Sequence, residues 1–552
     1  MNKNITTLIL IFSFFSCVRS NAQNYNLFWD KTFGGDSRDW SSVVSTNISG
    51  DIFIIGDSQS DISGDKNSTV CNTLNPNSDI WMLKIDVDGN ILWQKDIGSD
   101  SDERLPRLFH LNNGNKEMLF SCFTASNIAC DKTEPNRDTI PLLTNDYWLC
   151  LLDSNGTVVW NKTLGGDNYD DYTQITQLTF GEFLIGGESN SPAGYDKTIP
   201  NYSISNDMWV VKLDNTGNIL WNNVFGGDGA EYLVSIIPDI DGSFLLAGSS
   251  SSDVSGDVSQ TSQGSLDYWV IKVDNAGNKI WDKRYGGSGV DKCNYAVRTS
   301  DNGYLLCGYT VSPLSGDVSE APKGIQDYWV VKIDSAGNKL WDKRYGGNGG
   351  SFGTWAAAAN GSGYWIGGYS NSSNVIDVSE PSYGGSDYWL LKIDDSGNKL
   401  WDKKFGGSAD DYFSSMLIGA DSTMMAFGYS DSGSSAIKTA PSKGWMDYWM
   451  VKFSYTDSTT GLSHHPELIS EMKILPNPTN GVSSLELNLT KSTDAKLEIL
   501  DASGKVILRS EYTFDQGYQI VQLETDKLEA GYYFVRILTV GGSKVKKLVI
   551  IR

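Results

Sequence analysis

The side chains that could do chemistry in this chain are mostly carboxylates. Histidine is nearly absent: only His110, His464 and His465 occur in 552 residues. A Ser–His–Asp or Cys–His arrangement needs an imidazole inside a formed pocket. Only His110 falls within a strand-forming segment and no partner motif surrounds it, so a structural role is expected. The same count excludes His-rich zinc sites. Beyond residue 22 there are six cysteines, Cys71, Cys122, Cys130, Cys150, Cys293 and Cys307. They include no CxxC pair, are too sparse for a disulfide scaffold, and leave the pairing open.

Acids, by contrast, recur in order. After a Gly-Gly dipeptide, once Gly-Ser, an acid stands at one fixed offset as Asp39, Glu103, Asp170, Glu231, Asp291 and Asp411, with Ser351 at the seventh place. Two carboxylates suffice for glycoside hydrolysis, so a polysaccharide-active enzyme, a glycosidase or lyase, is the alternative reading of the chain. A position filled in six units points instead to a shared turn-capping hydrogen bond, because an active site is asymmetric. A second series, Asp79 through Asp447, precedes an aromatic in every unit and is read as structural. Asp65, Asp257 and Asp317 lie in Ser-Gly-Asp loops. Calcium is left open there, but no loop shows the ordered ligand run of an EF-hand, and Asx-turns are the expected role. No other cofactor is expected.

These residues ride on a repeat. Trp29, Trp93, Trp160, Trp221, Trp281, Trp341 and Trp401 open WDKTFGG and six kindred heptapeptides, at intervals of 64, 67, 61, 60, 60 and 60 residues. A second tryptophan series, Trp81, Trp148, Trp209, Trp269, Trp329, Trp389 and Trp449, follows the second aspartate series. Within one unit, residues 294–299, 304–310, 328–333 and 339–345 read as strands separated by Gly-Asn and Asn-Gly turns and one long loop. Four short strands repeated seven times are the blades of a β-propeller. The chain starts with a lone fourth strand (26–33) and the repeats end with three strands (412–453) that lack a fourth, so the N-terminal strand is expected to close blade seven and remove the open edges. Fourteen buried indoles would dominate stability, since each removes roughly 150–250 Å² from water, about 4–6 kcal/mol as an upper bound.

This closure resembles that of WD-repeat propellers, without their Gly-His and Trp-Asp dipeptides. The segment Asp274-Asn275-Ala276-Gly277-Asn278-Lys279-Ile280-Trp281 is similar to the tryptophan-docking motif of quinoprotein propellers, in which the indole wedges between blades. No adjacent-cysteine pair is present to cover a quinone. By analogy with these propellers, the six recurring acids would form a rim of carboxylates near the central channel, on the long-loop face.

The two ends have other purposes. Lys3, the apolar run from Leu8 to Phe15 and Ser20-Asn21-Ala22 have the layout of a secretory signal peptide over residues 1–22. Cys17 lies behind residues bulkier than a lipoprotein site carries. Residues 456–471, rich in Ser and Thr, read as a linker after a propeller spanning 23–455. From Met472 the motifs Met472-Lys473-Ile474-Leu475-Pro476-Asn477-Pro478, Leu497-Glu498-Ile499-Leu500-Asp501-Ala502-Ser503-Gly504-Lys505, Leu528-Glu529-Ala530-Gly531-Tyr532-Tyr533 and Lys546-Lys547-Leu548-Val549-Ile550-Ile551-Arg552 follow in order. They resemble the type A C-terminal sorting domain of the type IX secretion system. The resemblance implies export across the outer membrane, a β-sandwich over 472–552 that meets the secretion machinery, and a secreted or cell-surface location. The fold class expected is all-β, a seven-bladed propeller followed by a small sandwich.

A formal net charge of −23 opposes phosphate backbones and excludes nucleic acid as a partner, and no later stretch has the apolar length of a membrane helix. A monomer binding an extracellular glycan or protein is expected. Function in a repeat protein should lie where the repeat is broken. Trp40, Trp355 and Trp445 lie outside both tryptophan series on the consecutive blades six, seven and one. With Tyr383 and Tyr412 they are expected to form an aromatic arc on the long-loop face.

Overall fold

The computed structural model describes residues 25–551 except 48–49, 72–76, 112–116, 138–143, 179–180, 240, 360–361, 374, 420–421, 456–468, 490, 502–505, 524 and 540–541. The signal peptide, Cys17, His464, His465, Ala502–Lys505 of the second tail motif, and most of the linker lie outside the described residues. Residues Asn26–Ser454 form one compact unit. It consists of seven four-stranded antiparallel sheets, and in the last of them Tyr25–Phe33 pairs with Asp447–Tyr455. The leading strand therefore closes blade seven. In blade five the strands are Asp291–Arg298, Tyr304–Thr310, Asp327–Ile333 and Lys339–Tyr345. The first begins three residues earlier than its pattern indicated, so the recurring acid opens the strand rather than preceding it.

The core lies between blades. Each apolar cluster joins two neighbours, as when Met208 and Val210 of blade three pack with Phe244, Trp269 and Ile271 of blade four. The seven tryptophans of the second series are fully buried. Each indole N–H donates to the residue after the outer-strand tryptophan of its own blade: Trp329 to Asp342 at 3.1 Å, Trp389 to Asp402 at 3.1 Å, and Trp449 to Asp30 at 3.1 Å across the ring closure. Where a tyrosine precedes that tryptophan, its hydroxyl reaches the next blade. Tyr328 donates to the Trp389 carbonyl at 3.0 Å, and Tyr448 to that of Trp81 at 3.3 Å.

The outer-strand tryptophans differ from expectation. Except for Trp401 they are only half-buried, because the outermost strand of a blade leaves one indole face to solvent. The other face is covered by the hairpin glycine of the next blade: a Cβ at Gly337, whose φ is +79°, would stand 2.9 Å from the Trp281 ring. That contact is the docking expected of this motif, and it requires glycine twice over, for space and for a left-handed backbone. The Gly-Gly signature has a separate cause. A Cβ on Gly346 would lie 1.9 Å from Asp327 Oδ1.

The second unit begins with Ile469–Leu475, three residues before the sorting motif was expected to start. It is a sandwich of a three-stranded and a four-stranded antiparallel sheet around Leu485, Leu487, Ile499, Val535, Ile537 and Leu548. Glu498, almost fully buried, is held by Arg509 and Arg536 at 2.5 Å each.

Candidate functional site

The recurring acids do not form a channel rim. Asp39, Glu103, Asp170, Glu231, Asp291 and Asp411 are all fully buried beneath the long loops, and none lines the channel. Each carboxylate accepts the backbone N–H four residues earlier, as from Gly35 to Asp39 at 2.8 Å, Gly227 to Glu231 at 2.9 Å and Gly407 to Asp411 at 2.7 Å. Hydroxyls from the end of the second strand complete the shell: Ser250 and Ser252 donate to Glu231 at 2.7 and 2.6 Å. Burial pushes Glu103 up to about 8, Asp170 to about 7 and Asp39 and Asp411 to about 6, against these hydrogen bonds. Their role is to cap the turn between blades.

Each blade supplies one buried cation to this acid layer, from either of two positions. Blades one, two, three and seven use the loop residues Lys66, Lys132, Lys197 and Lys438, with Asp96, Thr163, Val224 and Thr32 on the outer strand. Blades four, five and six use outer-strand Arg284, Arg344 and Lys404, and their loop position is Val258, Val318 or Val378. Arg344 Nε donates to Asp327 at 2.7 Å, Lys404 meets Asp387 at 3.2 Å, and Lys132 Nζ donates to Thr163 at 2.6 Å. In each blade this cation offsets part of the charge of the buried carboxylates around it.

The Ser-Gly-Asp acids join consecutive blades. Asp65 accepts the Gly34 N–H at 3.3 Å and pairs with Lys443 of blade seven. Asp317 accepts from Gln263 at 2.5 Å, Asp257 is approached by Tyr202, and Asp377, which follows Val375-Ile376 at the equivalent place in blade six, pairs with Lys323 at 2.8 Å. Between blades one and two the same station holds a disulfide, Cys71–Cys130, with Cys130 in the place of the loop glycine. Cys122, Cys150, Cys293 and Cys307 are free and buried. Among the described residues no group of three or more His, Cys, Asp or Glu is placed to hold a metal. His110 lies 4.9 Å from the Phe53 ring with Nε2 2.9 Å from Ser45 Oγ, and burial pushes it down to about 4.

The proposed aromatic arc is divided by the structure. Trp40 and Trp445 share the Arg38 guanidinium, which stands 5.6 and 5.2 Å from their rings, and Trp445 is 72% exposed. Trp355 is not on that surface: at 8% exposure it packs between Tyr295 and Phe413 at 6.4 and 6.2 Å. Its position in the first strand, directly after the bulge, turns it toward the neighbouring blades. Tyr383 occupies the inter-blade station, its backbone N–H donating to Asp387 at 3.0 Å. Tyr412 belongs to the channel wall.

That wall is where the repeat breaks. A cavity of about 550 Å³ is lined by the first strands of all seven blades. At its mouth the second residue of each first strand faces its cross-strand partner. The pairs run Trp40–Asp57, Arg104–Phe123, Asp171–Glu188, Tyr232–Ser249, Lys292–Tyr309, Phe352–Tyr369 and Tyr412–Tyr429 around the ring. The flanking acid and Ser or Thr repeat; these pairs do not. Over blades five to seven they form a continuous aromatic wall, Tyr309–Phe352–Tyr369–Tyr412–Tyr429, with successive centroids 5.5, 5.0, 4.9 and 5.1 Å apart. Blades two and three contribute Arg107, Gln174 and Glu188. Glu188 is 6% exposed, accepts Asn206 Nδ2 at 3.1 Å, and is pushed up to about 8 by burial. Burial likewise pushes Asp57 up to about 7 and raises Asp171. Of this wall only Tyr412 was singled out beforehand. The available signal was a repeat position whose residue class changes from blade to blade.

Residues 473–551 match the family described as "Secretion system C-terminal sorting domain". The chain carries a type IX sorting domain. It is therefore exported, to the cell surface or the medium. Among curated proteins none matches the chain. Of solved structures, the propeller is similar to the Neurospora crassa Pan2 WD40 domain, at 10% identity and TM-score 0.40 over 76% of this chain and 97% of that one. It is also similar to Drosophila Plexin A in complex with Semaphorin 1b, at 9% identity and TM-score 0.42 over 81% and 89%. A duf4221 family member from Bacteroides vulgatus matches at 10% identity and TM-score 0.32 over 67% and 99%.

Proposed function

We propose that this exported protein is a recognition module that binds an extracellular glycan in the mouth of its channel. One observation carries the reading: a sevenfold repeat abandons its own pattern at the ring of paired residues around that mouth, where it places five touching aromatic rings beside hydrogen-bonding side chains. Aromatic faces stack on the apolar faces of sugar rings, and carboxyl, amide and ammonium groups meet the hydroxyls. Titrating an oligosaccharide panel into the full mature chain by calorimetry tests it. Tyr369→Ala and Tyr412→Ala are each expected to weaken binding about threefold to tenfold, taking roughly 0.5–1.5 kcal/mol per ring. Unchanged affinity in both variants removes the channel mouth from the reading.

The second reading, a carboxylate-based glycosidase or lyase, draws on Glu188, which retains its proton at neutral pH as a general acid must. Release of reducing ends from the same panel, abolished by Glu188→Gln, would favour it over binding without turnover.

A further inference from the structure

The channel mouth holds a lysine that makes no ion pair among the described residues. Lys292 lies in the first strand of blade five, lines the cavity and is half-buried. Its Nζ stands 5.5 Å from the Tyr232 ring, and among the described residues no carboxylate comes within 4.0 Å of it. Other buried cations of the propeller are satisfied either by a carboxylate, as Lys66 by Asp96 at 2.7 Å and Arg344 by Asp327 at 2.7 Å, or by neutral acceptors, as Lys132 by Thr163 at 2.6 Å and Lys438 by the Ala440 carbonyl at 2.7 Å. Lys292 has no such carboxylate among the described residues and sits at the varying ring of positions around the channel mouth, directly beside the aromatic wall as the cross-strand partner of Tyr309.

Resting on the glycan-binding reading, we propose that the channel mouth selects an acidic sugar, a uronic-acid unit whose carboxylate pairs with Lys292 while its pyranose ring lies on the Tyr309–Phe352–Tyr369 wall. A half-desolvated ammonium facing an aromatic cavity is poorly compensated until an anion arrives, and a charge-assisted N–H···O contact is stronger and more directional than a neutral one. The acids nearest this site do not supply that anion. Glu188 feels the Lys292 charge but accepts its hydrogen bond from Asn206, and burial holds its proton near neutral pH. Asp171 accepts from Asn145 at 2.7 Å, and Asp57 is likewise raised by burial. Arg104, on the same ring of positions, is already paired with Asp102 at 2.9 Å.

The test uses a polyuronate tetrasaccharide and its carboxyl-reduced, neutral counterpart, titrated into the full mature chain. The acidic form is expected to bind about 10–100-fold more tightly, an advantage that Lys292→Met erases and Lys292→Arg retains. Equal affinity of the two forms for the wild-type chain, or an undiminished preference in Lys292→Met, overturns the inference and leaves glycan recognition standing. Absence of binding to any sugar of the wider panel removes that recognition reading, and this inference with it.

Discussion

Exchanging the cation positions of one blade is the sharpest test of how the acid layer is held. Arg344 is fully buried, with Nε on Asp327 at 2.7 Å and Nη1 on the Ser312 carbonyl at 2.6 Å. Replacing it by valine leaves Asp327 buried with the Lys323 N–H, at 2.9 Å, as its remaining donor. Removing one partner of a buried ion pair costs about 3–5 kcal/mol. Val318→Lys alone forces a second cation against Arg344 and is also destabilising. The double variant Arg344→Val/Val318→Lys recreates the pair that blade three already uses, Lys197 with Val224. It is expected to recover all but about 1–2 kcal/mol, since contacting residues couple by up to about 3 kcal/mol in a double-mutant cycle. Urea unfolding of the mature chain followed by tryptophan fluorescence reports the four free energies. If the double variant loses the sum of the two single losses, the two positions do not substitute for one another and the one-cation rule is wrong.

Three further outcomes follow from the same architecture. Glu103, Asp170, Asp39 and Asp411 have folded-state pKa values near 8, 7, 6 and 6, above their unfolded values. The folded form therefore keeps protons that the unfolded form has released, and this contribution, complete below about pH 4, is lost as pH rises through about 6–8. The turn acids Asp86, Asp274, Asp334 and Asp394 are lowered by hydrogen bonds and act oppositely, losing their contribution as pH falls below about 4. A melting temperature highest in mild acid, with Glu103→Gln flattening the alkaline decline, is the expected profile. Reducing Cys71–Cys130, which spans 59 residues, is expected to cost about 2–4 kcal/mol, with faster amide exchange confined to blades one and two. Deleting residues 473–551 is expected to leave a folded propeller inside the cell envelope, and its appearance on the surface in fractionation would contradict export through the tail.

Much of this molecule is readable before folding because it is written seven times. The tryptophan spacing gives the blade count, and the unpaired end strands give the closure that Trp449 and Asp30 seal. The tail is legible for another reason: its motifs are local strings read by one machinery. The alternation of Lys with Val at the loop position and of Thr or Val with Arg on the outer strand is visible in the letters too. Its meaning is not, because the two positions lie 26 to 31 residues apart in blades one to six, and at opposite ends of the propeller sequence in blade seven, and meet only across a blade.

The aromatic wall depended on the ring itself. Trp355 and Tyr412 look equivalent as aromatics that break the pattern, yet the strand bulge sends one into the inter-blade core and the other into the channel. Tyr309, Phe352, Tyr369 and Tyr412 belong to three blades and become neighbours only when those blades converge on a common axis. A repeating sequence dictates the shape of each unit through local pairing and burial. Which exceptional side chains share a site is decided by the packing of units around the channel, a contact between residues far apart along the chain that no local pattern encodes.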